Sequence, residues 1–178
     1  DMNKGTKKEL ATGLNEDQYV ASEDGHLVAY EKEDPSKSKS VTVMNLETDQ
    51  EYEVTCKDGE CIKPLGFMDG DFVYGVAKTE EVGTTLSGAQ VIPMYKVEIT
   101  SSKDKVIKTY EQSGIYMLSA TFEDNMITLD RAVKDGDTYT GTAQDYITSS
   151  EEAKESNIYV QTYKTDLKET QVRLTYDD

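Results

Sequence analysis

Tryptophan is absent from this chain, histidine occurs once, at His26, and cysteine twice, at Cys56 and Cys61. A structural zinc needs four ligands, and two cysteines with one distant histidine fall short of that number. Basic residues are scarce beside acids: 19 Lys and Arg face 35 Asp and Glu, for a net charge of −16. Nucleic-acid binding needs an excess of cations on one face, so that function class is excluded. Anionic membrane surfaces are disfavoured for the same reason. The acidity is read first as solubility and self-repulsion, and second as a cation-binding surface or one that meets a cationic partner. No apolar run approaches the roughly 20 residues of a bilayer span, so no membrane insertion is expected within this chain. Asp1-Met2-Asn3-Lys4 is not followed by the apolar segment of a secretory signal. A chain that starts at Asp1 therefore reads as a mature or excised product. There is no Gly-x-Ser-x-Gly elbow, phosphate loop or dinucleotide fingerprint, and no cofactor is expected.

Among the aromatic residues, 12 tyrosines stand against 3 phenylalanines, and the hydrophobic fraction is 36%. That fraction is low for a globular domain. Tyr and Thr suit strands with one wet face, so the composition points to β-structure with thin apolar layers. A length of 178 residues suits one domain with a real core.

The pattern is one of repeats. Phe67-Met68-Asp69-Gly70-Asp71-Phe72-Val73-Tyr74 places an Asp-Gly turn between two apolar runs, a strong hairpin signal. Ser22-Glu23-Asp24-Gly25-His26-Leu27-Val28 precedes it and Phe122-Glu123-Asp124-Asn125-Met126-Ile127-Thr128 follows it. Aligned on the aspartate, the spacing is 45 residues (24 to 69) and then 55 (69 to 124). Repeats of this size imply a repeat architecture. The first unit, residues 18–56, is expected to hold strands at 18–22, 26–30, 41–44 and 51–55. The second, 64–112, repeats the grammar with strands at 65–68, 72–78, 94–99 and 106–110, a loop over 80–93 and a turn over 100–105. The third, 115–176, has strands at 116–122, 126–133, 157–163 and 169–176. Its insertion over 134–156 is expected to carry a β extension at 138–140 and one short helix near Ser149–Lys154. Residues 1–10 match Val43 to Tyr52 at a constant offset of 42, with Met, Asn, Thr and Glu coinciding, so the chain is expected to open at the turn before the last strand of a preceding repeat, residues 1–14 being its end.

Three consecutive four-stranded antiparallel meanders form an all-β, β-propeller-like arrangement, incomplete because propellers close with 4 to 8 blades. The pattern resembles the blades of TolB-like and dipeptidyl-peptidase-type β-propellers. The residues that carry the likeness are Ser22-Glu23-Asp24-Gly25-His26-Leu27-Val28-Ala29-Tyr30 and Val43-Met44-Asn45-Leu46-Glu47-Thr48. The resemblance implies protein partners. The absence of a Trp-Asp pair argues against the other large class of propeller repeats.

Candidate chemistry is sparse. His26 follows a hairpin turn and reads as a surface residue. Asp69-Gly70-Asp71 and Asp135-Gly136-Asp137 lack the six to eight oxygens a calcium loop needs, and turn chemistry accounts for both. Asp24, Asp69 and Asp124 could serve as paired acids of a glycosidase. Their recurrence at the same turn position argues for a structural role. Cys56 and Cys61 flank a Lys57-Asp58-Gly59-Glu60 turn, which allows a disulfide and an oxidising compartment. Two free thiols in a loop are the alternative. Tyr30, Tyr52, Tyr74, Tyr95, Tyr110, Tyr159 and Tyr163 fall on expected strands, where packing between blades is the reading preferred over a recognition face.

The sequence therefore reads as a non-catalytic scaffold or binding module, 1–178, of a larger extracytoplasmic protein anchored outside this chain. Its partner is a protein or other ligand, contacted through the loops 80–93 and 134–156, and open blade edges invite self-association. The rival readings are a propeller hydrolase, the propeller part of a peptidase, and a cytoplasmic location.

Overall fold

A computed structural model describes residues 13–102, 105–123 and 125–148 in full, and the backbone of residues 158–164 and 170–176. The chain divides into two compact units, Asp1–Thr148 and Ser149–Asp178. The expected short helix at 149–154, the opening strand fragment at 1–10 and Asp124 lie outside the described residues.

The strands in chain order are β1 (Tyr19–Ala21), β2 (Leu27–Tyr30), β3 (Ser40–Asn45), β4 (Glu51–Thr55), β5 (Glu60–Met68), β6 (Asp71–Lys78), β7 (Gly83–Thr85), β8 (Gln90–Val91), β9 (Met94–Ser102), β10 (Lys105–Glu111), β11 (Tyr116–Glu123), β12 (Met126–Asp135), β13 (Thr138–Gly141), β14 (Asp145–Thr148), β15 (Ile158–Lys164) and β16 (Thr170–Tyr176). The protein is all-β. The first four strands form one antiparallel meander in the order β1-β2-β3-β4. Its β3–β4 turn owes its shape to Asn45, whose side-chain oxygen accepts the N–H groups of Glu47 at 2.9 Å and Thr48 at 3.1 Å. That is the Asx turn the Asn-Leu-Glu-Thr motif encodes.

A second meander runs β5-β6-β9-β10, with β7 and β8 as a small hairpin inserted between β6 and β9. Two elements depart from expectation. β5 begins at Glu60 rather than Leu65, because it continues through Pro64 by means of an irregularity between Pro64 and Gly66. Proline is tolerated there because β5 pairs on one side only. The loop expected over 100–105 is mostly strand: β9 extends to Ser102 and β10 begins at Lys105. Thr100, buried at this corner, turns its hydroxyl toward the carbonyls of Ser102 and Lys105.

The third group differs more. β12 is ten residues long and divides its outer edge. Its first half pairs with β14, from Met126↔Thr148 to Leu129↔Asp145, and its second half with β13, from Ala132↔Gly141 to Asp135↔Thr138. The third-strand position that the sequence reading gave to residues 157–163 is therefore taken by β14. In the second unit β15 pairs with β16, Ile158↔Tyr176 through Lys164↔Thr170. β13 also pairs in parallel with β7, so the two insertions bind one another.

Two cores form, and β6 contributes to both. Its alternate residues Phe72, Tyr74 and Val76 join Ala29, Val41, Val43, Val54 and Ile62 in the core shared with the first meander. Val73 and Ala77 join Met94, Val97, Ile99, Met117, Ile127, Leu129 and Ile147 in the core shared with the third. A strand buried on both faces reads as continuous apolar sequence, which Phe72-Val73-Tyr74-Gly75-Val76-Ala77 is. Gly75 is required here: a Cβ at that position would lie 1.9 Å from the Met94 sulfur. β6 is thus packed on both faces, and β5 touches both β1 and β11. A single bridge, Met117↔Met94, joins β11 to β9, so the second and third groups belong to one ten-stranded sheet, and no closed propeller forms among the described residues.

Candidate functional site

The Asp-Gly turn between β5 and β6 has both central residues in the left-handed region, Asp69 at φ 52° and Gly70 at φ 82°. This is the primed two-residue turn that matches strand twist, and Met68↔Asp71 is its closing pair. The turn between β1 and β2 is built differently. There only Gly25 is left-handed, at φ 74°. The Asp24 carboxylate accepts the Ser22 hydroxyl at 2.5 Å and the His26 N–H at 3.0 Å. The third turn, closed by Glu123↔Met126, carries Asn125.

These three turns meet. Residues 22–24, 67–70 and 125 line one cleft of about 610 Å³. Its rim is acidic, from Glu23, Asp24 and Asp69, and Phe67 and Met68 add apolar wall. The hydrogen bonds from Ser22 and His26 hold the Asp24 carboxyl below its ordinary value. It is therefore ionised at neutral pH and is no proton donor. The cleft can attract a cationic group and pack against an apolar one. His26 lies just beside it, exposed, with Nδ1 3.0 Å from Glu47 Oε1. Among the described residues no group of three or more His, Cys, Asp or Glu is placed to hold a metal ion.

Both cysteines are free thiols. Cys56 is half-buried after β4, with its sulfur 3.6 Å from the Lys39 carbonyl. Cys61 is committed to the β5 ladder opposite Ala77 and is fully buried, and burial raises its thiol to about 11. The Lys57–Glu60 turn is closed instead by Glu60, whose N–H donates to Lys57 O at 3.1 Å and whose carboxylate accepts the Lys57 N–H at 3.1 Å.

Four of the described tyrosines pair with acids, and the side chains of Tyr159 and Tyr163 lie outside the described residues. Tyr74 donates to Glu98, Tyr95 to Glu60 at 2.6 Å, Tyr110 to Asp145 at 2.5 Å and Tyr116 to Glu81 at 3.2 Å. All four phenols titrate above their ordinary value, with burial as the first cause and the neighbouring carboxylate as another. Where the two insertions meet, Tyr139 donates to the Glu81 carbonyl at 2.5 Å and its ring meets Tyr116 edge-on, 5.4 Å between centroids.

One residue escaped the sequence reading. Glu31, directly after β2, is 1% exposed, and neither carboxylate oxygen has a hydrogen-bond partner. Burial pushes its carboxyl up to about 8; the Ser38 hydroxyl beside it and the Lys63 charge oppose that rise, and the charges of Asp17 and Asp34 add to it. It forms part of the wall of a second cavity, of about 420 Å³. That cavity lies at the opposite end of β2 from the Asp24 turn. Tyr30-Glu31-Lys32-Glu33 looks like the start of a solvated loop, and no local signal reveals the burial.

Comparison with family models, with curated proteins and with solved structures returns no match for this chain. Among the described residues no helix is long and apolar enough to cross a membrane.

Proposed function

We propose that the chain is a run of propeller-type blades serving as a non-catalytic binding or scaffold module of a larger extracytoplasmic protein. The cleft at the three hairpin turns is its contact surface. The observation that carries this reading is the convergence of the three repeated turns on one cleft, with β6 of the middle meander buried on both faces. Face-to-face stacking of successive meanders with equivalent turns at one end is what blades of a propeller do. The acidic rim and apolar wall suit a peptide segment that carries a basic side chain beside an aliphatic or aromatic one. Long-range attraction from a net charge of −16 speeds the encounter with such a partner.

The hydrolase reading gains one point, the placement of Asp24 and Asp69 on the same cleft. It needs one acid held protonated while another is ionised. Asp24 is held ionised, and the carboxyl whose proton is retained, Glu31, belongs to the other cavity.

The test pairs two assays. Short Arg- and Lys-containing peptides should bind the protein, with affinity lost tenfold or more in the Asp24→Asn, Asp69→Asn double variant and on raising salt. A screen of glycosides and peptides should show no turnover. Hydrolysis that disappears when Asp24 or Asp69 is replaced would sink the scaffold reading.

A further inference from the structure

We propose that residues 31–39, the strap that joins β2 to β3, form a pH-operated latch. The strap is shut while Glu31 carries its proton, and loss of that proton favours its lifting.

The strap is built to move as one piece. Ladder pairing stops at Tyr30 of β2 and resumes at Ser40 of β3, so both ends can hinge. The middle is a self-contained turn. The Asp34 carbonyl accepts the N–H groups of Lys37 at 2.8 Å and Ser38 at 2.9 Å, and its carboxylate accepts the Ser36 N–H at 2.9 Å. Ties to the surroundings lie at the two ends. At the near end the Glu31 N–H donates to the Gln18 carbonyl at 2.9 Å, and Gln18 Nε2 donates to the Glu33 carbonyl at 2.9 Å. At the far end the Ile62 N–H donates to the Ser38 carbonyl at 2.9 Å and the Cys56 N–H to the Lys39 carbonyl at 3.1 Å.

The Glu31 side chain is shut in by this strap, 1% exposed, and neither oxygen has a partner. The Ser38 hydroxyl beside it has one hydrogen, which goes to the Ser40 carbonyl at 2.9 Å. The charges around it do not suit an anion. Asp17, from the turn before β1, and Asp34, from the strap itself, are acids, and Lys63 of β5 is the cation that opposes them. The Cys61 thiol of β5 also feels Glu31 and stays neutral, because burial raises it to about 11. An ionised carboxylate left in such a place is among the costliest arrangements in a protein interior. Lifting the strap hydrates it and costs a few hydrogen bonds that water replaces.

The pH window follows from linkage. The carboxyl titrates at 4.5 in water and at about 8 under the strap. Below 4.5 both forms hold the proton, and opening is independent of pH. Between 4.5 and 8 the open form releases a proton that the shut form keeps, so opening becomes about tenfold more favourable per pH unit. Above 8 both forms are ionised and the gain levels off.

Hydrogen exchange on the full chain at pH 5.5, 6.5, 7.5 and 9, corrected for the intrinsic pH dependence of exchange, tests this. The amides to follow are those of Glu31, Cys56 and Ile62, which hold the ends of the strap. Their protection should lie about tenfold or more below that of β6 amides at every pH, fall about tenfold per unit up to pH 8, and then level off. In Glu31→Gln the profile should be flat. Low urea should speed exchange in β6 and leave the strap amides nearly unchanged, because lifting a strap exposes little surface. Asp17→Asn keeps the buried acid and removes one neighbouring charge, so its profile should level off at a lower pH; it decides the matter if Glu31→Gln fails to fold. Strap amides as well protected as β6 would show that Glu31 ionises only on global unfolding, and would overturn the proposal. So would a flat profile in the native chain, or the same slope in Glu31→Gln.

Discussion

At the scale of single residues, the tyrosines and acids of this chain explain one another. An excess of carboxylates is a liability in thin apolar layers unless the groups near those layers find donors. Tyr74, Tyr95, Tyr110 and Tyr116 supply them, each with its hydroxyl on an acid. Glu31 is the exception, and its effect on stability has a definite sign. Its carboxyl titrates at 4.5 when unperturbed and at about 8 in the fold. Below pH 4.5 the proton is bound in both states, and the group exacts no pH-dependent penalty. Between 4.5 and 8 the native state holds a proton that the unfolded chain releases, so stability falls as pH rises. Above 8 the loss from this group is complete, at several kcal/mol by linkage of the two titrations, reduced by any relaxation of the loop. Urea melts of the native chain and of Glu31→Gln at pH 5, 7 and 9 should therefore diverge. The native chain should lose more stability across this window than the variant does. Parallel profiles would mean that Glu31 is solvated or partnered in solution. Repulsion within a chain of net charge −16 also weakens it at alkaline pH, but is nearly the same for both proteins, so the difference between them isolates Glu31.

At the scale of elements, the pairing of the two insertions is the feature with the clearest consequence. β7 and β13 run parallel through Thr138↔Thr84 and Tyr139↔Thr85. A Cβ on Gly83 would lie 2.8 Å from the Tyr139 ring and 3.1 Å from the Asp137 carbonyl. Gly83→Ala should force these strands apart and destabilise by about 1–3 kcal/mol, as overpacking does. Hydrogen exchange should show faster amides in β7, β8 and β13, with β6 unchanged. Protection that stays the same in β7 and β13 would show that the insertions are held by something other than this contact. How legible the elements were in the sequence follows from the range of the interactions that set them. β4 alternates Glu51-Tyr52-Glu53-Val54-Thr55 and falls where that alternation puts it. The Asp69-Gly70 turn is a local backbone preference and was equally plain. The start of β5 was hidden by Pro64 and Gly66, whose local signals say loop while pairing with β6 makes strand. β14, only Asp145-Tyr146-Ile147-Thr148, has one buried side chain and owes its place to the free first half of β12. The meeting of three turns in one cleft, and the cavity beside Glu31, depend on the stacking of layers. No window of sequence contains that stacking.

At the scale of the whole molecule, β6 at the heart of the second meander is buried on both faces. Repeat units of this kind need something over their outer surfaces. β10 ends the second meander as an edge strand with Val106 and Ile107 exposed, and Leu46 and Tyr146 lie exposed on the first and third. Lys105 and Lys108 on β10 are the charged residues that blunt such an edge, and Lys108 is partly engaged, with Nζ 3.1 Å from the Thr148 carbonyl. Two forces then compete. Apolar edges favour association with further blades or with a second copy, and a net charge of −16 opposes association of like chains. Salt screens the repulsion and leaves the apolar attraction intact, so the balance is adjustable. Light scattering on a sizing column should find mass rising with protein concentration, and more steeply at 0.5 M salt than at 0.05 M. Calorimetry should find a melting transition that sharpens and moves upward as association increases. A monomer at every salt and concentration, with one sharp transition, would mean that the outer faces are sufficient as they stand. The chain would then be an autonomous module, and the expectation that further blades cover it would be lost.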